Sequence, residues 1–177
     1  MTKFEPTSKR VLGIDPGSRI TGYGIVEEIS GKLCSVTYGV FKVSGKENFS
    51  ERLKEIYNGI DQLIKTHQPS EVAIESLFFS KNAMSSIKLG QARGAAMTAA
   101  ANQGLRVFEY APTQVKQAVV GYGRSDKEQV QKMVFLLLGL QGQAKVDATD
   151  ALAVAICHLN SVKFQQASKL YDRVPTR

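Results

Sequence analysis

The sequence of 177 residues predicts an α/β protein in which helices flank a five-stranded mixed sheet. Three apolar segments near the N-terminus are joined by short turns, which indicates antiparallel strands. A segment with helical periodicity separates the third strand from the fourth, which indicates a parallel crossover. The length suits one domain, and an apolar content of 43% is sufficient for a sizeable core.

The first three strands are predicted from apolar runs and from the turn residues between them. Pro16 and Gly17 form the first turn, and Gly31 with Lys32 forms the second. The predicted strands cover residues 9–15, 20–28 and 33–43.

A helix, a short buried strand and a second helix follow. Asn48 and Glu51 have the spacing of a capping box, and Pro69 lies just beyond the end of the first helix. The strand covers residues 71–75 and the second helix residues 83–102. The apolar face of the first helix consists of Leu53, Ile56, Tyr57, Ile60, Leu63 and Ile64.

The second helix has an apolar face of small side chains, which allows another helix or a sheet to approach closely. Packing within the domain accounts for much of this face, and a contact between two copies of the chain is the alternative. The small residues are Ala83, Gly90, Ala92, Gly94, Ala95, Ala96, Ala99 and Ala100.

A fifth strand and further helices complete the prediction. Pro112 suits the first turn of a short helix, and a glycine-rich loop at residues 121–123 follows it. Ser125 and Glu128 have the spacing of another capping box. This order of elements fits a ribonuclease H-like fold better than a doubly wound nucleotide-binding fold. The predicted ranges are 105–110 for the strand, and 112–119, 125–138 and 146–162 for the helices.

Charge is distributed unevenly along the chain. The net charge is +7, yet residues 1–77 sum to zero, whereas residues 78–132 carry +5. We divide the chain into an N-terminal extension (1–8), a single ribonuclease H-like domain (9–162), which we expect to be a nuclease domain, and a basic tail (163–177) whose charge is +3. A basic field suits a polyanion such as nucleic acid, and a soluble basic protein without such a partner is the alternative.

The distribution of apolar residues and the two cysteines predict a cytoplasmic protein. No apolar run approaches the ~20 residues that span a membrane, and residues 1–10 lack the apolar stretch of a signal peptide. Cys34 and Cys157 have no metal-ligand spacing and are interpreted as reduced thiols. His67 and His158 are not near other ligand residues in the sequence, and we assign them no role.

Four carboxylates are the candidate active site. Asp15 and Glu75 close apolar strands, and Asp147 and Asp150 lie three residues apart at the start of the last helix, on one face. Converging acids repel one another unless a cation lies between them. Two divalent ions ~4 Å apart can hydrolyse a phosphodiester, and Mg²⁺ prefers such oxygen ligands.

Each carboxylate also has a simpler explanation. Asp147 could be a helix N-cap or a first-turn acid, and Asp150 could interact with the helix dipole. Asp15 could initiate a turn, and Glu75 could be a solvated strand end. Spacing alone does not decide between these roles and a metal site.

Aromatic and basic side chains give weaker candidates. Phe78 and Phe79 follow the strand that ends at Glu75, and an exposed ring there could stack on an unpaired base. Core packing is the commoner role for phenylalanine. Lys116 and Lys127 could contact phosphates or stabilise a transition state, or they could be solvated surface lysines.

At these residues the chain resembles the RuvC family of Holliday junction resolvases, from about Val11 to about His158. Several motifs occur in the order of the family, which is more specific than any single one. The matching segments are residues 13–24, 73–82, 88–94, 114–117, 127–130 and 147–153.

The resemblance implies a Mg²⁺-dependent endonuclease that resolves four-way DNA junctions by paired symmetrical cuts in recombination and repair. It implies Asp15, Glu75, Asp147 and Asp150 as the catalytic and metal-binding set. We expect two Mg²⁺ ions per subunit, for which Mn²⁺ would substitute.

The resemblance also implies a homodimer and partnership with the RuvA–RuvB branch-migration complex. It implies that Phe78 stacks at the opened crossover and that Lys116 and Lys127 contact DNA near the scissile phosphate. Lys81 and Arg124 are further expected DNA contacts.

Three other functions remain open from the residues alone. One is a ribonuclease H-like nuclease acting on RNA–DNA hybrids, and another is a junction-binding protein with a vestigial site. The third is a sugar-kinase-like ATPase, suggested by the turn at residues 15–18, although such folds need two related halves.

Overall fold

The computed structural model describes residues 8–43, 48–76 and 82–171. Five strands and five helices lie in these residues, in the predicted order. They are β1 (Ser8–Asp15), β2 (Ile20–Ile29), β3 (Lys32–Lys42), α1 (Phe49–His67), β4 (Glu71–Glu75), α2 (Ala83–Asn102), β5 (Val107–Tyr110), α3 (Pro112–Val120), α4 (Lys127–Leu138) and α5 (Val146–Tyr171).

The strands form one mixed sheet in the order β3-β2-β1-β4-β5. The turns after β1 and β2 are short, so β1, β2 and β3 pair antiparallel. The helical crossovers through α1 and α2 make β4 parallel to β1 and β5 parallel to β4. This arrangement confirms the predicted five-stranded mixed sheet.

Alternation along β1 divides the core into two layers. Leu12 and Ile14 are completely buried on the face covered by α1 and α2. Val11 is buried on the opposite face, against α5. Successive strand residues point to opposite faces, so Gly13 and Asp15 share the α5 face with Val11. The alternation therefore directs Asp15 toward the start of α5.

Glycines allow α5 to lie directly on the sheet. A Cβ atom added at Gly13 would lie 2.0 Å from Ala151 O, and one added at Gly22 would lie 2.0 Å from Asp147 O. Gly22 is the antiparallel partner of Asp15. The absence of side chains at these positions thus brings the first turn of α5 next to the end of β1.

Two helix starts differ from the prediction. Asn48 caps α1, but it accepts a hydrogen bond from Ser50 N–H (3.2 Å) rather than from Glu51 as a capping box requires. The capping box of α4 belongs to Asp126 and Gln129, one residue later than the predicted pair. Ser125 is buried instead, and its hydroxyl donates to Tyr122 O.

The last helix is longer than predicted. It continues to Tyr171 instead of ending near Val162, because apolar periodicity marks only the part of a helix that packs on the core. Lys163, beyond the predicted end, pairs with Glu28 of β2 at 3.0 Å. Among the helices described, none is long and apolar enough to cross a membrane.

Candidate active site

The four predicted carboxylates lie at element ends that the fold brings together. Asp15 ends β1 and Glu75 ends β4, and these neighbouring strands are parallel, so both ends lie at one edge of the sheet. Asp147 and Asp150 lie in the first turns of α5, which rests on β1 and β2 at that edge. The described residues thus hold all four acids in one region.

Asp15 is the most perturbed of these acids. Burial raises the pKa of its carboxyl to about 8, and the negative charges of Glu75, Asp150 and Asp147 add to that increase. The positive charge of Lys127 opposes them. An acid whose pKa responds to three others lies within electrostatic reach of all of them.

Glu75 and Asp150 show the same behaviour more weakly. Burial raises the pKa of Glu75, and the charge of Asp150 adds to it, against the opposing effects of Lys127 and Lys116. Burial also raises the pKa of Asp150, although the hydrogen bond from Lys127 partly counteracts this. Neighbouring acids with raised pKa values favour the binding of positive charge.

Lys127 supplies positive charge to the acids. Its ammonium lies 2.8 Å from Asp150 Oδ2. Burial disfavours the charged lysine, but the hydrogen bond to Asp150 and the charges of Asp150, Asp15 and Asp147 raise the pKa of Lys127. Lys127 is therefore a permanent cation at the site.

Lys116 lies in the same cleft and has a structural contact. Its ammonium donates to Ser125 O at 2.9 Å, which ties α3 to the loop before α4. The cleft has a volume of about 180 Å³. It is lined by Glu75, Pro112, Val115, Lys116, Lys127, Val130, Asp150 and Ala153.

The donor set fits a hard divalent cation. All four candidate ligands are carboxylates, and oxygen ligands are the preference of Mg²⁺ and Mn²⁺. Within the described ranges, no three acidic, histidine or cysteine side chains are close enough to enclose one ion in this structure. Asp150 is instead engaged by Lys127. The four carboxylates fit a divalent cation because they are oxygen donors and because a cation would relieve their mutual repulsion.

The predicted DNA contacts are only partly within the described residues. Phe78, Phe79 and Lys81 lie outside them. Arg124 is exposed in the loop between α3 and α4, directly before buried Ser125.

Two polar contacts near the site were not predicted from the sequence. Arg93 of α2 donates from Nε to the backbone oxygen of Glu75 at 3.3 Å. Its guanidinium also forms an ion pair with Glu109 of β5. The spacing of these residues along the chain carries no signal for either contact.

His158, to which no role was assigned, is completely buried in a polar network. Its Nε2 donates to Glu71 Oε2 at 2.7 Å, and Tyr110 OH donates to Nδ1 at 2.8 Å. These are the roles that a neutral imidazole takes beside a carboxylate. Burial lowers the pKa of His158, against the opposing effect of Glu71. The histidine links α5 to β4 and β5.

Comparison with known proteins gives a consistent result. The model of the family described as "Crossover junction endodeoxyribonuclease RuvC" matches residues 11–158. The curated RuvC of Pelobacter propionicus is 57% identical over 152 residues, which is 86% of each chain. That of Geotalea uraniireducens is 50% identical over 165 residues, covering 93% of this chain and 96% of the relative.

Solved structures agree. The RuvC of Thermus thermophilus, in complex with a Holliday junction substrate, is 35% identical with a TM-score of 0.84 and covers 89% of this chain and 96% of its own. The yeast mitochondrial Holliday junction resolvase Ydc2 has a TM-score of 0.68 at 13% identity and covers 96% and 87%. The second likeness concerns the fold alone. Together they confirm the predicted ribonuclease H-like fold.

Proposed function

Because the chain belongs to the RuvC family of crossover junction endodeoxyribonucleases, we propose that Asp15, Glu75, Asp147 and Asp150 form the site at which it cleaves four-way DNA junctions. Membership makes the chain a metal-dependent nuclease of recombination and repair. The observation that carries the assignment of the site is the partly buried carboxyl of Asp15, whose pKa is raised by burial and by the charges of the three other acids.

The four carboxylates would hold Mg²⁺, with two ions per subunit and Mn²⁺ as a substitute. Such ions supply an activated water and neutralise charge at a phosphodiester. Asp15 lies at the end of β1, beside β4 and beneath the start of α5. It therefore lies between Glu75 on β4 and the two acids on α5. Asp147 and Asp150 also lie in the first turns of α5, near the positive end of its dipole.

Lys127 has two states in this proposal. In the free protein it neutralises Asp150. When a phosphate and cations enter the cleft, the ammonium is free to move to a phosphate oxygen, because the side chain is 62% exposed and flexible. There it would stabilise negative charge that develops during cleavage.

DNA would reach the acids across a basic surface. Lys116 lines the cleft beside Glu75, and Arg124 lies on the adjoining loop. Lys81 and Phe78 follow β4 in the chain, and we propose that Lys81 contacts a phosphate and that the ring of Phe78 stacks at the opened crossover.

Paired cuts at a junction require two sites, and we propose a homodimer that forms through α2. From Ala92 onward this helix packs within the monomer, where Ala92, Ala96 and Ala99 are buried. In its first half, Met84 is 59% exposed and Ile87 is 54% exposed. These two side chains are three residues apart and therefore lie on one helix face. A cytoplasmic location and partnership with the RuvA–RuvB complex complete the proposal.

The decisive experiment uses a synthetic mobile four-way junction, labelled on each strand in turn and incubated with the protein and Mg²⁺. We expect symmetrical cuts in two strands of like polarity, which leave nicks that a ligase can seal. Linear duplex DNA of the same sequence is the control. Cleavage of an RNA–DNA hybrid without cleavage of the junction would replace this function by that of a hybrid-specific nuclease.

A further inference from the structure

Arg93 connects α2 to the candidate metal ligand Glu75 through the backbone. Its side chain is 15% exposed, so most of the guanidinium is removed from water. Nε donates to the carbonyl oxygen of Glu75 at 3.3 Å. Nη2 lies against the carboxylate of Glu109 as an ion pair without hydrogen-bond geometry. A charge this buried is costly unless it is paired, so the contact with Glu109 offsets the burial.

The Glu75 carbonyl lies one residue beyond the last residue of β4 that pairs with β1. The pairing of β4 with β1 ends at Ile74, opposite Ile14. On the other side, Ser76 N–H donates to Tyr110 O at 2.9 Å. Arg93 donates to the carbonyl of Glu75, one residue beyond the last β1–β4 pair.

We propose that Arg93 is a positioning residue that fixes the end of β4 and thereby the carboxyl of Glu75 toward the metal site. The inference rests on the proposed function, because it takes Glu75 as a metal ligand. Residues that orient metal ligands typically change metal affinity by about 10- to 100-fold when they are replaced. Arg93 should therefore affect metal affinity and leave junction binding in the absence of metal unchanged.

The geometry explains why arginine is required here. The two contacts come from different nitrogens of one planar group, Nε to a carbonyl and Nη2 to a carboxylate. A lysine ammonium is a single centre and cannot reproduce this fork. Glu109 is half exposed, so its ion pair is partly screened by water and serves mainly to offset the burial of the guanidinium. The hydrogen bond to Glu75 is therefore the contact that matters for the site.

The test compares Arg93→Gln, Arg93→Lys and Glu109→Gln with the unmodified protein. Mn²⁺ affinity is measured by calorimetry without DNA, and junction affinity is measured in EDTA. We expect Arg93→Gln to weaken Mn²⁺ binding about tenfold, Arg93→Lys to be intermediate, and Glu109→Gln to change it less than threefold. Junction affinity should stay within about twofold for all three variants.

Arg106→Gln is the matched control. It removes the same charge just before β5, where the guanidinium lies 5.1 Å from the centre of the Phe108 ring and not at Glu75. We expect unchanged Mn²⁺ affinity. Should Arg93→Gln fold normally by circular dichroism and bind Mn²⁺ as the unmodified protein does, the positioning role is wrong. Weaker junction binding in EDTA by Arg93→Gln but not by Arg106→Gln would make Arg93 a DNA contact instead.

The same titration separates this inference from the proposed function. Asp15→Asn should weaken Mn²⁺ binding if the acids are the metal site. If Asp15→Asn binds Mn²⁺ normally while Arg93→Gln binds it more weakly, Asp15 is not a metal ligand, but Arg93 still affects the residues that bind the metal.

Discussion

The ammonium of Lys127 lies 2.8 Å from Asp150 Oδ2, so the first residue of α4 is paired with an acid of α5. Lys127 is 62% exposed and Asp150 is 24% exposed. Ion pairs that are open to water contribute only about 0–1 kcal/mol to stability, so this pair can open at little cost. A cation that is available but weakly held suits a role in charge stabilisation.

Replacing Lys127 by alanine should therefore slow the chemical step more than it weakens junction binding. Loss of one group that stabilises developing charge typically costs about 10²- to 10³-fold in rate. Single-turnover cleavage at saturating protein measures this step. Lys132→Ala, which removes an exposed charge from the same helix, should leave the rate within about twofold. Equal rates for Lys127→Ala and the unmodified protein would reduce Lys127 to a surface residue.

Asp15→Asn should abolish cleavage and leave junction binding intact. The amide keeps the size of the side chain but loses the negative charge that a cation needs. We expect a rate loss of at least about 10³-fold, with junction affinity in EDTA unchanged. Asp61→Asn is the control, because Asp61 pairs with Lys65 on α1. Cleavage by Asp15→Asn in Mg²⁺ at a normal rate would contradict the assignment.

The places of Asp15 and Glu75 at strand ends could be predicted, because apolar runs in the sequence end at these two residues. The sequence could not show that α5 packs directly against Gly22, because this contact joins segments that are far apart in the chain. The cap of α4 was misplaced by one residue because Ser125 and Asp126 are both suitable caps, and only burial of Ser125 distinguishes them. The contact of Arg93 with the Glu75 carbonyl joins a side chain to a backbone atom and leaves no residue pattern.

Without divalent metal, the protein should lose stability as pH rises from about 5 to 8. The pKa of Asp15 is raised to about 8 when folded, well above the usual ~3.9 of an unfolded aspartate. The folded state therefore binds the proton more tightly, and this stabilisation, complete below the unfolded pKa, declines as pH rises through the folded one. We expect a decrease in melting temperature of at least about 2–4 °C, corresponding to roughly 1 kcal/mol.

Calorimetric melting in EDTA at several pH values checks this expectation. Asp15→Asn should flatten the pH dependence, because the amide does not titrate. Adding Mg²⁺ should restore stability at pH 8, since bound cations favour the ionised acids. A melting temperature that is constant between pH 5 and 8 in EDTA would contradict the raised pKa.

Gly22→Ala should impair both stability and cleavage. The new methyl group would lie 2.0 Å from Asp147 O, so α5 must move away from the end of β1. Overpacking of this kind costs about 1–3 kcal/mol, and the displaced helix carries two of the four acids. Gly94→Ala is the control, because among the described residues no atom outside its own stretch of α2 lies within 4 Å of an added Cβ there. Denaturant unfolding and cleavage assays should show losses only for Gly22→Ala.

The proposed dimer face on α2 predicts that Met84→Asp and Ile87→Asp produce monomers. A charge in an apolar contact must be desolvated without a partner, which costs several kcal/mol and exceeds what two such side chains contribute by burial. Sedimentation velocity measures the oligomeric state. Leu136→Asp on α4 is the control, because Leu136 is 75% exposed and lies on a different helix.

Paired cutting gives a second measurement on the same variants. A monomer keeps all four acids of its own site, so it should still nick a junction when present in excess. The two nicks should then occur independently, whereas a dimer places both sites on one junction and makes the second cut follow within the lifetime of the complex. Counting singly and doubly nicked products of a cruciform plasmid distinguishes these cases. If Ile87→Asp sediments as a dimer and cuts in pairs, the dimer contact lies on another surface.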